Sequence, residues 1–272
     1  MNTVAIIIPT HKPQDYIYEC LDSLVNQTCD LSVFQVFIIL NGDRDPYFND
    51  LENYLNKSGL NFKLLYTEVP GVSNARNIGL DYVNENNIKY VTFLDDDDIL
   101  SSNFIEESLI RAKPNTIVVC NTKTFSDNNL ENLGEDYLTK SFNNNIGVEY
   151  NIIKYRPFLS TIWSKLIPMS LIGSIRFNPN HTLGEDSLFG FEISNKIENM
   201  VLTNPDCIYY RRIRLNSASR SKYKKSNLIK MRFELCIDYC KCYMSDIKNY
   251  NFILFSTRVL AQFRHILQIL KK

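Results

Sequence analysis

Val4-Ala5-Ile6-Ile7-Ile8-Pro9, near the beginning of the chain, is the stretch that decides the fold. A continuous β-branched run that ends at a proline is typical of a strand buried on both faces of a parallel sheet. Helical and strand periods then alternate, with helices predicted over 16–25 and 73–84 and strands over 34–40, 62–66 and 90–94. This order predicts an α/β fold with a mostly parallel sheet flanked by helices.

The pattern loosens after about residue 115. Residues 121–150 are rich in Asn and Asp and have weak periodicity, which predicts an irregular excursion or a flexible cover. A compact segment resumes at Phe158, and the chain is predicted to be helical from Ser226 onward.

Charge is distributed unevenly along a chain that is neutral as a whole. The 272 residues carry 30 Lys plus Arg and 30 Asp plus Glu. Residues 211–272 contain 15 basic and 3 acidic residues, a net charge of +12, so residues 1–210 carry −12. A neutral average argues against a nucleic-acid-binding protein, which normally has a basic excess, and no nucleic acid is expected as a partner.

Three features of the sequence predict the cellular location. Met1-Asn2-Thr3-Val4 lacks the basic region and long apolar stretch of a signal peptide, and no apolar run approaches the ~18 residues of a spanning helix. The seven cysteines are odd in number and scattered, which favours free thiols over disulfides. A metal cluster at Cys236, Cys240 and Cys242 is the alternative, but no His or fourth Cys lies nearby. A cytoplasmic location is therefore expected.

Four consecutive carboxylates, Asp95-Asp96-Asp97-Asp98, follow the fourth predicted strand. Ligands of open α/β sheets bind beyond the carboxyl ends of the strands, and alternate side chains share a side, so Asp95 and Asp97 are expected together at that edge. Adjacent negative charges require a counter-ion or raise each other's pKa, and Mg²⁺ or Mn²⁺ prefers such oxygen ligands. The alternative is a solvated acidic turn in which Asp98 or Ser101 caps the next helix.

A second acidic pair, Glu185-Asp186, precedes the apolar residues Leu188 and Phe189. The pair is predicted to lie in the first turn of a helix, where the helix dipole favours acids. Taken alone, this position favours plain N-terminal capping over catalysis.

The beginning of the helix predicted over 73–84 is a third candidate site. Gly71 precedes it, Ser73 is expected to cap it, and Arg76 lies in its first turn. A helix N-terminus with an arginine suits a phosphate group, although the spacing alone is a weak signal.

Seven blocks of the sequence, in order, resemble the signatures of one known family. They are Ile7-Ile8-Pro9-Thr10-His11-Lys12, the segment from Glu19 to Thr28 (ECLDSLVNQT), Gly71-Val72-Ser73-Asn74-Ala75-Arg76-Asn77-Ile78-Gly79, Phe93-Leu94-Asp95-Asp96-Asp97-Asp98, Ile162-Trp163-Ser164-Lys165-Leu166, Gly184-Glu185-Asp186, and Tyr209-Tyr210-Arg211-Arg212 continuing through Ser217. Together the blocks resemble the family 2 glycosyltransferases of GT-A fold, over roughly residues 4–220.

The resemblance implies an organisation and an activity. It implies a Rossmann-like GT-A fold in which residues 1–100 form the nucleotide-sugar-binding half and residues 101–220 the acceptor-binding and catalytic half of one domain. Residues 221–272 would be a basic helical extension. Members of the family transfer a sugar from a nucleotide diphosphate to an acceptor hydroxyl, usually with inversion.

The resemblance also implies roles for individual residues. Asp95 and Asp97 match the family's D-x-D element and would hold a divalent metal, Mn²⁺ or Mg²⁺, at the donor diphosphate. Asp186 matches the catalytic base, and Glu185 beside it is expected to contact the acceptor. The metal and arginines would neutralise the charge on the leaving nucleotide. The residues expected to bind the nucleotide-sugar are Pro9, Thr10, Asn41, Ser73, Arg76, Asp95 and Asp96, together with Arg212 and Arg214 on a mobile loop.

The chain departs from the family pattern after its second strand. Where many members have Asp-Asp-Gly-Ser, this chain has Leu40-Asn41-Gly42-Asp43. The family carboxylate that accepts the uracil N–H aligns with Asn41, and Asp43 is the second choice. An Asn carbonyl can still accept that proton, so uridine is the leading base, ahead of thymidine and guanosine.

Trp163 is the only tryptophan of the chain. It is a candidate acceptor-binding residue, as a platform on which a sugar stacks, but packing in the core or between domains is the favoured alternative. His181, which lies shortly before Glu185, is predicted to be an ordinary loop histidine.

The C-terminal segment begins with the basic stretch Arg220-Ser221-Lys222-Tyr223-Lys224-Lys225. The last helix is predicted to carry an apolar stripe of Phe252, Phe255, Val259, Phe263, Ile266 and Leu270, with Arg258, Arg264, His265, Gln268 and Lys271 away from it. A basic amphipathic helix suits peripheral contact with an anionic membrane surface. The alternative is that the stripe packs on the catalytic domain or on a second subunit of a homodimer.

These observations predict a metal-assisted, inverting glycosyltransferase that uses a nucleotide-diphospho-sugar, with UDP-sugars first. The acceptor is expected to be a hydroxyl of a growing bacterial surface glycan or of a lipid-linked glycan. The rival hypotheses are a metal-dependent nucleotidyltransferase and a non-catalytic relative that binds nucleotide-sugars or glycans.

Overall fold

The computed structural model describes residues 3–126, 129–214 and 223–271. Ser217 and the stretch from Arg220 to Lys222, which the sequence analysis singled out, lie outside the described residues. The described strands are β1 (Val4–Thr10), β2 (Phe34–Asn41), β3 (Phe62–Thr67), β4 (Tyr90–Phe93), β5 (Ile99–Leu100), β6 (Thr116–Val119), β7 (Asn121–Ser126), β8 (Asn129–Gly134), β9 (Lys165–Pro168), β10 (Asn199–Leu202) and β11 (Ile208–Ile213). The α-helices are α1 (Tyr16–Val25), α2 (Tyr47–Ser58), α3 (Val72–Glu85), α4 (Phe104–Arg111), α5 (Tyr137–Asn145), α6 (Met169–Ile172), α7 (Glu185–Glu192), α8 (Lys225–Ser245) and α9 (Phe252–Lys271).

A seven-stranded, mostly parallel sheet forms the centre of the fold, in the order β10-β6-β9-β4-β1-β2-β3. Strand β1 pairs in parallel with β2 and β4, and β2 pairs in parallel with β3. Only β9 runs against its neighbours β4 and β6. All seven residues of β1 are buried, as its unbroken apolar run predicts. The predicted α/β architecture is confirmed, and strands from both sides of residue 100 share this sheet.

A second, four-stranded sheet has the order β5-β11-β7-β8. Strand β11 pairs antiparallel with β5 and in parallel with β7. Since β5 follows directly on the acidic run 95–98, this sheet brings Tyr209 and Arg212 of β11 next to those carboxylates.

The prediction of an irregular or flexible excursion over 121–150 is wrong for most of that segment. It contains β7, β8 and α5, and α5 begins with a capping box in which Asp136 accepts hydrogen bonds from the N–H groups of Leu138 and Thr139. Periodicity failed here because β7 is stabilised by pairing with β11, some eighty residues later, and not by an alternating apolar face. The polar composition that suggested a loop includes the residue that caps α5.

Helix α3 lies very close to β1 because Gly79 has no side chain. A Cβ atom at Gly79 would lie 2.8 Å from Cγ2 of Ile7. The helix begins at Val72 with Gly71 as its N-cap, so Ser73 lies inside the first turn and is not the capping residue that we predicted. This close packing sets the position of the Arg76 side chain relative to the end of β1.

The C-terminal helices α8 and α9 pack against each other and against residues 156–192. The inward side of α9 is formed by Leu254, Arg258, Gln262 and Ile266. The predicted stripe is therefore only partly correct: Phe255, Val259 and Ile266 face the protein, whereas Phe252, Phe263 and Leu270 are exposed and Arg258 is buried. In the described part of the chain, no helix combines the length and apolarity needed to cross a bilayer.

Candidate active site

The candidate site lies where β1, β2 and β4 end at the same edge of the sheet. Thr10 closes β1, Asn41 closes β2, and Asp95 follows shortly after β4. The hydroxyl of Thr10 donates to Asp96 Oδ2 at 2.5 Å, and burial raises the pKa of Asp96 to about 7. The strand ends and the acidic run thus form one surface, as the ligand rule for parallel sheets predicts.

Asn41 ties three chain segments together through its buried side-chain amide. Its Nδ2 donates to the carbonyl of Thr10 at 2.7 Å, and its Oδ1 accepts the N–H of Gly71 at 2.9 Å. An aspartate could accept from Gly71 but could not donate to Thr10. The departure from the family's Asp therefore has a structural use, and the contact of Asn41 with a uracil ring stays a prediction. Asp43 is exposed and ion-paired with Lys12 at 2.8 Å.

Arg76 is the central cation of the site. Its guanidinium is almost completely buried and donates from Nη1 to Asp186 Oδ1 at 2.9 Å and from Nη2 to Asp95 Oδ1 at 3.0 Å. Glu185 Oε1 lies 3.9 Å from Nη1. One forked side chain therefore joins the acidic run after β4 to the acidic pair of α7, which the sequence separates by about ninety residues.

Asp186 and Glu185 occupy the first turn of α7, as predicted. Burial raises the pKa of Asp186, Arg76 opposes this shift, and the backbone of Ile162 also hydrogen-bonds the carboxylate. Burial and the neighbouring charge of Asp186 raise the pKa of Glu185 to about 7. The Asp186 side chain keeps 18% of its surface exposed, so a hydroxyl can reach it from solvent. This is the environment of a base whose pKa lies closer to neutrality than that of a free aspartate.

Asp95 and Asp97 are the residues expected to hold a metal. Asp95 binds Arg76, whereas Asp97 Oδ2 lies 2.6 Å from Nε of Arg214. Among the residues that the structure describes, no three His, Cys, Asp or Glu side chains are grouped as a ready-made metal site. Mg²⁺ and similar ions are commonly held by one or two carboxylates plus substrate phosphates, so the oxygen donors of this pair fit a metal completed by a diphosphate.

Asp98 does not face the site but fixes the acidic run to β11. It is buried and accepts the hydroxyl of Tyr209 at 2.6 Å and the backbone N–H of Arg212 at 2.7 Å. The same Tyr209 oxygen accepts the N–H of Asp95 at 3.2 Å. The suggested capping of the next helix by Asp98 or Ser101 is not what the structure shows, since Asn103 is the N-cap of α4.

Arg212 and Arg214 were expected on a mobile loop, and for Arg212 this is wrong. Arg212 belongs to β11, is 6% exposed, and donates to Glu19 at 2.6 Å and to the Asp97 carbonyl at 2.8 Å. Its guanidinium also lies over the rings of Tyr16 and Phe125. Arg214 follows β11 and is 30% exposed, so of the two arginines it is the one with surface left for a ligand.

Trp163 is 7% exposed and stacks on Tyr209, with the ring centroids 5.0 Å apart. A sugar platform needs an uncovered ring face, so this position favours the packing alternative, in which Trp163 supports the tyrosine that binds Asp98 and Asp95. Ser73 is buried, and its Oγ has no hydrogen-bond partner among the described residues. Buried polar atoms normally have a hydrogen-bond partner, so the Ser73 hydroxyl is suited to bind a ligand group at the start of α3.

Lys165 was not predicted to have a role, and His181 has a partner that was not predicted. Lys165 is buried and donates from Nζ to Thr161 Oγ1 at 3.0 Å and to the Trp163 carbonyl at 2.8 Å. Burial lowers its pKa to about 7, and the charge of Asp186 opposes the shift. A lone lysine inside the apolar strand β9 was the available signal. His181 is not a plain loop histidine, because its Nε2 lies 2.8 Å from Asp238 Oδ2 and so ties the loop before α7 to α8.

The family model described as Glycosyl transferase family 2 matches residues 5–167. The glycosyltransferase GlyA of Streptococcus pneumoniae is 26% identical over 232 residues, which are 80% of this chain and 32% of that protein. The minor teichoic acid biosynthesis protein GgaB of Bacillus subtilis is 26% identical over 90% of this chain and 27% of its own length. The chain thus spans about a third of the length of these curated relatives.

Solved structures resemble the whole fold. Staphylococcus aureus TarS 1–349 in complex with UDP-GlcNAc superposes with a TM-score of 0.69 at 18% identity, covering 88% of this chain and 66% of that one. The mannosyltransferase PcManGT from Pyrobaculum calidifontis, in complex with GDP-Man and Mn²⁺, gives a TM-score of 0.61 at 15% identity over 97% of this chain and 69% of its own. These likenesses confirm the predicted fold class.

Proposed function

Because this chain belongs to glycosyl transferase family 2, we propose that it moves a sugar from a nucleotide-diphospho-sugar to a hydroxyl of a bacterial surface glycan, with Asp186 as the general base. The observation that carries this proposal is the double hydrogen bond of Arg76 to Asp186 and Asp95. The candidate base and the candidate diphosphate-binding acid each bind a different terminal nitrogen of one buried guanidinium, which supports neighbouring sites for the acceptor and the donor diphosphate. A direct displacement needs that arrangement, with the acceptor on one side and the leaving group on the other.

The residues around Asp186 prepare it to accept a proton. Burial raises its pKa towards the operating range, and Arg76 and the Ile162 backbone keep the carboxylate ionised and oriented. Asp186 takes the proton of the acceptor hydroxyl as that oxygen bonds to the anomeric carbon, while the bond from this carbon to the diphosphate oxygen breaks. The nucleoside diphosphate leaves, and the anomeric configuration is inverted. Glu185, next to the base, is placed to hydrogen-bond the acceptor sugar.

The donor would occupy the edge formed by the ends of β1, β2 and β4. Pro9, Thr10, Asn41 and Asp96 would line the nucleoside side, and Ser73 with its unpaired hydroxyl would face the phosphates. Asp95 and Asp97 would hold a divalent cation, Mn²⁺ or Mg²⁺, which when bound would neutralise charge on the diphosphate. Arg214 would leave Asp97 and contact the same anion. Arg212 already binds the Asp97 carbonyl and the Asp98 carboxylate, so we propose that it positions the acidic run 95–98.

The identity of the donor is proposed from the chain's neighbours. The TarS complex holds UDP-GlcNAc, and PcManGT was solved with GDP-Man. A uridine nucleotide is our first choice, with an N-acetylhexosamine or hexose as the sugar. For the acceptor, the relatives include a teichoic acid biosynthesis protein and a poly(ribitol-phosphate) β-N-acetylglucosaminyltransferase, which favours a surface glycan.

The test separates binding from transfer. Thermal shift with a panel of UDP-, dTDP- and GDP-sugars plus Mn²⁺ should single out one donor, since a ligand that binds only the native state stabilises it. With that donor, Asp186→Asn should keep donor binding and lose about a thousandfold or more of the transfer rate. Glu192→Gln, at the other end of α7, should transfer normally. Full transfer by Asp186→Asn would contradict the assignment of the base, and release of pyrophosphate instead of a nucleoside diphosphate would identify a nucleotidyltransferase.

A further inference from the structure

Helices α8 and α9 carry an apolar surface that the rest of the described chain leaves uncovered. Nine of the 18 large apolar side chains that are exposed in the described residues lie on these two helices, and eight of them, all except Phe252 at the start of α9, form what we call the outer face. They are Phe233, Ile237 and Met244 of α8 and Ile253, Leu260, Phe263, Leu267 and Leu270 of α9, each 45–66% exposed. Phe233 and Phe263 are in edge-to-face contact, so the two helices form one surface. Contiguous apolar patches on a protein surface mark interaction sites.

The outer face is not needed to attach the helices to the protein. A different set of side chains, including Leu235, Tyr239 and Leu254, is completely buried on the inward side. The hairpin is also fixed by polar contacts: Tyr239 hydrogen-bonds Ser187 at 2.7 Å and Arg258 donates to Ser160 at 2.9 Å. Packing of the helices on the protein therefore does not explain why the outer-face residues are apolar.

The charge around the outer face has one predominant sign. Lys241, Arg264 and Lys271 each follow an outer-face residue by four positions, which puts them on the same side of their helix. Within α8 and α9 the sequence has seven Lys or Arg and two acids, and α9 has no acid. The two acids, Glu234 and Asp238, both lie on α8, where Glu234 pairs with Lys230 and the partly buried Asp238 pairs with Lys241 and His181.

We propose that the outer face docks on an anionic lipid membrane. Its Leu, Ile and Phe side chains would enter the region between headgroups and acyl chains, and its lysines and arginines would contact lipid phosphates. A second copy of this chain is a poorer occupant, because a two-fold dimer would place the same cations of both copies against each other. An anionic membrane matches both the apolar and the basic character of the face.

Docking would bring the acceptor half of the site to the membrane, an inference that rests on the proposed function. Helix α8 binds Ser187, the residue directly after the proposed base, and α9 binds Ser160, close to the Ile162 backbone that hydrogen-bonds Asp186. Helices α8 and α9 thus contact residues that are one or two positions from Asp186 and from the Ile162 backbone. An acceptor glycan carried on a lipid would be presented at that level, which makes a lipid-linked glycan the acceptor class that this geometry fits.

Vesicle flotation of the full chain, without nucleotide-sugar, tests the docking surface. The protein should float with vesicles of phosphatidylcholine plus phosphatidylglycerol, much less with phosphatidylcholine alone, and less at high salt. The double variant Leu260→Gln/Leu267→Gln should bind about tenfold or more weakly. Val69→Gln/Ile110→Gln, which removes two equally exposed apolar residues elsewhere, is the matched control and should float like the wild type.

A second pair of variants tests the charge. Arg264→Gln/Lys271→Gln should reduce binding to the anionic vesicles about tenfold, whereas Lys57→Gln/Lys89→Gln should not. Wild-type protein that stays unbound, outer-face variants that float normally, or a dimer that the leucine pair dissociates without any lipid binding would each overturn the proposal. Flotation is read without catalysis, and transfer to a soluble acceptor should be unchanged in the outer-face variants. Failure of the docking surface and failure of the glycosyltransferase proposal are therefore distinguishable.

Discussion

Arg76 lies 2.9 Å from Asp186, a residue 110 positions later in the chain, and the same guanidinium lies 3.0 Å from Asp95. Helix α3 sits deep enough to allow this because Gly79 packs directly on Ile7 of β1. The expectation from the motif was that Arg76 neutralises the leaving diphosphate. The geometry supports an additional role, which is to keep Asp186, the proposed base, ionised and at a fixed distance from Asp95, the proposed donor-binding acid.

Replacing Arg76 should therefore harm catalysis even when the positive charge is kept. Arg76→Lys cannot bind Asp186 and Asp95 at the same time, and we expect kcat to fall about a hundredfold with a small change in unfolding temperature. Arg76→Met leaves buried carboxylates uncompensated and should cost about 3–5 kcal/mol of stability. Steady-state kinetics and chemical denaturation measure the two effects.

The control for Arg76 is Arg176, which forms an ion pair of similar length, 2.7 Å, with the exposed Asp81. Arg176 also donates to the carbonyls of Gly173 and Ile175, so Arg176→Met should cost about 1–2 kcal/mol, which is less than Arg76→Met because the Asp81 carboxylate left behind is solvated. Transfer by this variant should equal that of the wild type. If Arg76→Lys were as active as the wild type, the proposed positioning of the base would be wrong.

Much of this site could be predicted from the sequence, because its residues stand at the ends of recognisable elements. The unbroken run of β1 and the acids after β4 define the ligand-binding edge from local pattern alone. The first-turn position of Glu185 and Asp186 followed from the apolar residues behind them. For these residues the place on a strand or helix is a local property and was predicted correctly, whereas β7, β8 and α5 were not predicted.

The choice of partners could not be predicted in the same way. Arg258 stands among polar residues in the sequence, yet it is buried and hydrogen-bonded to Ser160, and no spacing rule connects residues 98 positions apart. Arg212 reads as a loop cation but forms a strand with β7 and binds Glu19. Trp163 is of a residue type that often stacks on sugars, but it packs on Tyr209 in this fold. In each case tertiary contacts determine where the side chain lies, and the local sequence pattern does not contain them.

Removal of divalent cations should abolish transfer, and Mn²⁺ or Mg²⁺ should restore it. Asp97→Asn is expected to raise the Mn²⁺ concentration needed for half-maximal activity about tenfold or more, since it removes one of two candidate ligands. Asp81→Asn, which alters an exposed carboxylate paired with Arg176, is the control. Activity that is the same with and without EDTA would refute the metal assignment.

Close packing beneath the base gives a stability prediction. A Cβ atom at Gly190 of α7 would lie 2.4 Å from the carbonyl oxygen of Leu159, and backbone cannot rotate away as a side chain can. Gly190→Ala should therefore cost about 3 kcal/mol, the upper range of overpacking effects, and should lower kcat by displacing Asp186. Gly59→Ala, where no atom lies within 4 Å but φ is +76°, should cost only about 1 kcal/mol of backbone strain. Equal losses of stability in urea denaturation would contradict the packing argument.

Glu192, at the end of α7, should make stability fall as pH rises. Burial, with the charge of Asp238 as a second cause, raises the pKa of Glu192 to about 7, so between the ordinary pKa of 4.5 and about 7 the folded chain holds a proton that the unfolded chain has released. Because the folded state binds more protons in that window, its stability decreases there by about 3 kcal/mol and is level above it. Glu192→Gln cannot ionise, and it should match the wild type near pH 4.5 and exceed it by that amount above the window.

Urea denaturation of the wild type and of Glu192→Gln at several pH values measures this difference directly. Asp96 and Glu185 also have raised pKa values, so both proteins keep a slope, and the diagnostic quantity is the gap between the two curves. Asn53→Gln, an uncharged exchange on the exposed side of α2, should give a curve parallel to the wild type. A constant gap between Glu192→Gln and the wild type across the window would show that Glu192 is ionised in the folded protein, because only a proton held by the native state makes the gap grow with pH.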